Sequence, residues 1–183
     1  MKTIRVGPGG ASAVLACDIV VAGGAKVLST LTPKTRVIVN THEQLPGEFT
    51  RDVDFSLPTR RIIDSLKKRA NTTAFDANRA ARALFGDTIA ANTIILGAAF
   101  QSGALPLSAG SIEAAIRLNG AAVEMNLAAF RFGRLSIADP ARFAAAVDAA
   151  SAPPPADHTP PATIAERIAR HAASLLAYQD DAY

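Results

Sequence analysis

"DIVVAGGAKVLSTLTPKTRVIVN" (18–40) is the stretch that decides the fold. "DIVVAGGA" (18–25) is a continuous apolar run rich in β-branched residues, the pattern of a strand buried on both faces. "AKVLSTL" (25–31) predicts a helix of about two turns, stopped by "TPK". "TRVIVN" (35–40) reads as a second buried strand. Strand, helix and strand on short links predict a right-handed parallel crossover.

Working outward, "TIRV" (3–6) predicts a short strand ended by "GPGG" (7–10). "THEQLPGEFTRDVDFSLP" (41–58) is polar and punctuated, an excursion beyond the sheet edge. Pro58 opens a helix through Arg69, with Ile62, Ile63 and Leu66 as its apolar stripe. "NTTAFD" (71–76) is a third strand. Helices are expected over 77–85, 88–102, 109–118 and 120–133, with "FGD" and "QSGALPLS" as breaks. Asp139 and Pro140 begin another to Ala150: an Asp cap, then proline at the first helical position. The expected fold is therefore α/β, a parallel sheet flanked by helices, with a helix-rich C-terminal half.

That places an α/β domain over 1–150. "SAPPPADHTPPA" (151–162) has five prolines, which favour an extended linker over regular structure. Residues 163–183 are expected to be helical, opened by a Thr163–Glu166 capping box. A lone helix after such a linker needs something to pack against.

Hydrophobic residues make up 49% of the 183 and charged residues 19%, a core-forming composition well clear of disorder. Net charge is only +3. Its densest group, "RRIIDSLKKR" (60–69), repeats at helical spacing with no aromatic residues between, so it reads as a solvated helix face rather than a nucleic-acid surface. The one cysteine, Cys17, excludes an internal disulfide and a four-cysteine cluster, and favours a reducing, cytoplasmic setting. The longest apolar run is broken by Asp18 and two glycines and does not span a membrane. Met1 leads directly into "KTIRV", with no signal segment.

"VGPGGAS" (6–12) follows an expected strand, but Ser12 stands where the dinucleotide pattern needs a third glycine, and Pro8 removes a donor. A tight turn explains it better than a phosphate cradle. His42, His158 and His171 have no ligand-type residue at metal spacing. His42 follows the carboxyl end of a buried strand, where α/β proteins gather ligands, or is a solvated loop histidine. Cys17 reads as a small buried residue rather than a nucleophile.

"RLNGAAVEMNLAAFRFG" (117–133) sets Glu124 and Asn126 in an apolar helix. Glu124 and Arg131 lie seven apart on one side, and Asn126 points nearly opposite. An unpaired buried carboxylate is very costly. Glu124 is therefore part of a solvated Glu–Arg side, or, with Asn126, reaches another subunit or ties down a loop.

Three stretches together resemble one family: 16–52 with "NTHE", 85–120 with "AANTIILGAAFQSGALPLS", and 121–134 with "VEMNLAAFRFGR". They are similar to the gamma-type domain of 2-oxoacid:ferredoxin oxidoreductases, and most specifically to the fused indolepyruvate ferredoxin oxidoreductases. The resemblance is collinear over about residues 3–135. It implies an enzyme that oxidatively decarboxylates a 2-oxoacid to an acyl-CoA, using thiamine diphosphate with magnesium, iron–sulfur clusters, coenzyme A and ferredoxin. The chain has no G-D-G…N segment for magnesium diphosphate and only one cysteine, so those groups are expected on partner domains. The implied role is a positioning and interface unit, inactive alone. Asn40 and Thr41 would edge a surface facing coenzyme A or the thiamine subunit, while Glu124, Asn126 and Arg131 would be structural. The glycine-rich unit that opens such domains has no counterpart before "TIRV", and the last helix stops mid-phrase. An exposed sheet edge is therefore expected, to be met by a partner segment, self-association or rearrangement. Two other readings stand beside this one: a stand-alone ligand-binding or structural α/β module, and a small nucleotide-dependent enzyme using "GPGGAS".

Overall fold

β1 (Ala13–Ala16), β2 (Arg36–Asn40) and β3 (Asn71–Phe75) form a parallel sheet in that spatial order, with Ala13 opposite Arg36 and Arg36 opposite Asn71. The computed structural model describes residues 5–43, 58–151 and 163–178. The chain divides into two units, Met1–Ser151 and Ala152–Tyr183.

β2 is the central strand, and its Val37, Ile38 and Val39 are at most 1% exposed. Alternation sends Val37 and Val39 to one side and Ile38 to the other. Both sides are covered, so the strand needs no polar alternation. Val37 and Val39 pack with Ile19 and Ala22 of α1 (Ile19–Ala22) and Leu66 of α3 (Thr59–Arg69). Leu28 of α2 (Ala25–Thr30) joins that layer. Ile38 packs with α4 (Ala77–Phe85) and with Ile94, Ile95 and Ala98 of α5 (Ala91–Gln101). α6 (Ala109–Asn119), α7 (Val123–Ala138) and α8 (Pro140–Ser151) follow α5.

The expected strand over 18–25 is a misreading. The strand is Ala13–Ala16, and Ile19–Ala22 is a one-turn helix. Asp18 causes the switch: its carboxylate accepts from the Val20 and Val21 N–H groups, at 2.7 and 3.0 Å, capping the turn. Ile19 and Ala22 then face inward while Val20 and Val21 are exposed. A short apolar run looks alike as strand or helix, and a cap decides it.

The helix over 25–30 and the strand over 36–40 match their expected places, as do β3, α3 and α4. The helix expected over 88–102 opens with a 3-10 turn, Thr88–Ala90, before α5. α7 begins later and ends later than expected, at Val123 and Ala138. Of "TIRV", residues 3 and 4 lie outside the described residues, and Arg5 and Val6 are not in a strand. Residues 44–57 of the polar excursion, 152–162 of the proline-rich stretch and 179–183 also lie outside them.

"GPGG" is a tight turn. The Gly10 N–H donates to Gly7 O at 3.0 Å, and Gly9 has φ +64°. The Gly9 and Ala11 N–H groups are spent on Ser29 O and Thr30 O, so these amides do not cradle a phosphate.

Among the described residues, β1 is an edge strand. Arg36 N–H donates to Ser12 O, so alternate residues Val14 and Ala16 also turn their peptide groups to β2. The N–H and C=O of Ala13 and Leu15 face outward, and no backbone hydrogen bond meets them among the described residues. In the second unit, α9 (Ile164–Tyr178) is opened by a reciprocal box: Thr163 N–H to Glu166 Oε2 and Glu166 N–H to Thr163 Oγ1, both 3.2 Å.

Candidate functional site at the carboxyl edge of the sheet

Parallel strands end together, and their carboxyl ends are where α/β folds leave a crevice for ligands. Here that edge gathers Cys17 and Asp18 after β1, Asn40, Thr41 and His42 at the end of β2, and Asp76 and Asn78 after β3.

Asn40 holds it together. Its side chain is buried, 3% exposed, and all its hydrogen-bonding capacity is used. Nδ2 donates to Cys17 O at 3.2 Å and to Asn78 Oδ1 at 2.8 Å. Oδ1 accepts from Ala77 N–H at 3.0 Å and from His42 N–H at 3.2 Å. One amide thus joins the ends of β1 and β2 to the first turn of α4. Thr41 N–H donates to Phe75 O at 3.0 Å, and its side chain is half-buried at the rim. Asp76 caps α4 through Arg79 N–H, at 2.8 Å. Its Oδ1 stands 3.8 Å from His42 Nδ1, an ionic distance rather than a hydrogen bond.

Cys17 is exposed, yet burial around its sulfur pushes the thiol pKa up. The protonated form is favoured, the opposite of what a nucleophilic cysteine needs. Among the described residues no three His, Cys, Asp or Glu side chains form a metal-type group. One cysteine cannot supply the four thiolates of an iron–sulfur cluster. The single thiol therefore does not fit a four-thiolate cluster.

The α7 residues lie apart from this edge. Asn126 Oδ1 accepts from Thr93 Oγ1 at 2.9 Å, and Nδ2 donates to Ala121 O at 3.0 Å, tying α7 to α5 and to the preceding loop. Glu124 is exposed in the first turn of α7. Arg131 is held by a residue that spacing did not suggest. Glu113 of α6 accepts from its Nε and Nη2, both at 3.2 Å, and from Arg117 at 3.4 Å. These two guanidinium groups hold the Glu113 carboxyl below its usual range, while Glu113, with Glu124 more weakly, raises Arg131. Asp76 and Asn78 were missed as edge residues. The available signal was an Asp opening an apolar-periodic helix directly after a strand.

Sheet order and two-sided helical cover define a parallel α/β domain. The chain matches the family model of pyruvate ferredoxin/flavodoxin oxidoreductase over residues 2–135, and it belongs to that family. The match ends within α7. Neither the curated proteins nor the solved structures compared with it gave a match. Enzymes of this family are oxidoreductases that use thiamine diphosphate and iron–sulfur clusters. Among the described residues, no helix is long and apolar enough to cross a membrane.

Proposed function

We propose that this chain is a gamma-type positioning unit of a cytoplasmic enzyme that oxidises an indolepyruvate-like 2-oxoacid to an acyl-CoA and passes the electrons to ferredoxin. Its partners supply thiamine diphosphate, magnesium and the clusters. The chain contributes surfaces. The observation that carries this reading is the edge of β1, where the peptide groups of Ala13 and Leu15 meet no backbone partner among the described residues. An edge left unpaired beside an apolar side chain such as Leu15, 36% exposed, favours association, with a partner segment or a second copy. Thr41 and the Asn40-anchored rim would face coenzyme A or the thiamine-binding subunit.

Co-expression with thiamine-binding and iron–sulfur subunits of such an enzyme tests this. The chain should co-purify with them and raise indolepyruvate-dependent dye reduction. Full activity of those subunits without the chain, and no association, would defeat the proposal.

A further inference from the structure

Charge is divided unevenly between the two sides of the sheet. On the α4–α8 side, residues 76–151 carry six arginines and six carboxylates. Several are paired, as Arg79 with Asp148 and Arg131 with Glu113. On the other side, residues 17–35 and 58–70 carry seven cations against only Asp18 and Asp64. All seven cations are exposed, and none forms an ion pair among the described residues.

Helix α3 concentrates this charge. Its Ile62, Ile63 and Leu66 turn toward the core, so Arg60, Arg61, Lys67 and Lys68 share the outward face around Asp64. Lys67, Lys68 and Arg69 sit in the last turn, where cations suit the helix dipole. Arg60 and Arg61 sit in the first turn, at the positive end, where helix stability gives no reason for them. Val20 and Val21 of α1, 39% and 65% exposed, add apolar surface on the helix that packs against α3. Cations beside exposed apolar side chains form a composition suited to protein recognition.

We propose that the α1–α3 side is a docking face for the acidic surface of another protein, steered there by long-range attraction. Residues 76–151 of a second copy, with six arginines and six carboxylates, offer that face no charge complement. Nucleic acid fits poorly: Asp64 would repel phosphates, and residues 17–35 and 58–70 contain no aromatic ring for base stacking. The inference stands apart from the β1 edge and does not depend on it.

The test is fluorescence anisotropy with labelled poly-L-glutamate and with a single-stranded oligodeoxynucleotide of equal charge, over a salt series. Poly-L-glutamate should bind the full chain, and more weakly as salt rises. Arg61→Glu/Lys68→Glu should weaken that binding roughly tenfold or more. Arg82→Glu/Arg142→Glu, the same charge change on the opposite side, should barely alter it. These are exposed positions, and circular dichroism checks that each variant folds. Equal weakening by both pairs, tighter binding of the oligonucleotide, or no binding of poly-L-glutamate overturns the proposal.

Discussion

Gly97 of α5 and Gly133 of α7 face each other where the two helices cross: a Cβ on Gly97 would lie 3.0 Å from the Gly133 Cα and overlap the Phe130 carbonyl oxygen. A Cβ on Gly133 would overlap the Ile94 carbonyl oxygen in return. The obstacles are backbone, so no rotamer change relieves them. Ala129 and Phe130 are fully buried at the same crossing.

Gly97→Ala and Gly133→Ala should each destabilise the fold by about 3 kcal/mol or more, at or beyond the upper end of ordinary overpacking. Urea unfolding measures this. The double variant should cost less than the sum, because the first methyl already forces the helices apart. Single variants as stable as the parent would show that the helices can separate freely.

Asn40→Leu removes four hydrogen bonds and leaves Cys17 O, Asn78 Oδ1 and the Ala77 N–H without their partner. A loss of about 2–4 kcal/mol is expected, from stranded buried polar groups rather than lost volume. Hydrogen exchange should rise at both Ala77 and His42, in separate segments. A rise at one alone would contradict the joint role.

Much of this architecture was legible in the sequence, and the failures share a cause. "TRVIVN" announced β2 because burial on both faces demands an unbroken apolar run. Residues 18–25 satisfied the same rule and form a helix, because the deciding hydrogen bonds come from one side chain, Asp18. At the carboxyl edge, Asn40 and Thr41 could be nominated from their place after a strand. Three of the four partners of Asn40 lie 23 to 38 residues away and follow only from the assembled sheet. Arg131 was matched by helical spacing to Glu124, whereas Glu113 reaches it from another helix. Gly97 and Gly133 carried no signal, since "ILGAAF" and "AFRFG" read simply as buried helix.

Acid should loosen the α6–α7 contact. The Glu113 carboxyl is held below its unfolded value of 4.5, so its contribution is complete above that pH. It is lost as pH falls through the lowered folded value. The effect is small and salt-screened at this surface position. Stability measured against pH should fall in that acid window for the parent and more gently for Glu113→Gln. Identical acid limbs would remove Glu113 from the account.

Cys17 should alkylate slowly at neutral pH despite its exposure. With the thiol pKa raised, the iodoacetamide rate should climb at higher pH than for a free cysteine peptide. Faster reaction than the peptide at neutral pH would mean an activating neighbour.

The amide of Asn40 gives the mouth of the sheet the character of a single plate. The turn after β1 is tied through Cys17 O to Asn40, and through Asn40 to the start of α4. Two turns about sixty residues apart in the chain are thereby joined by one side chain.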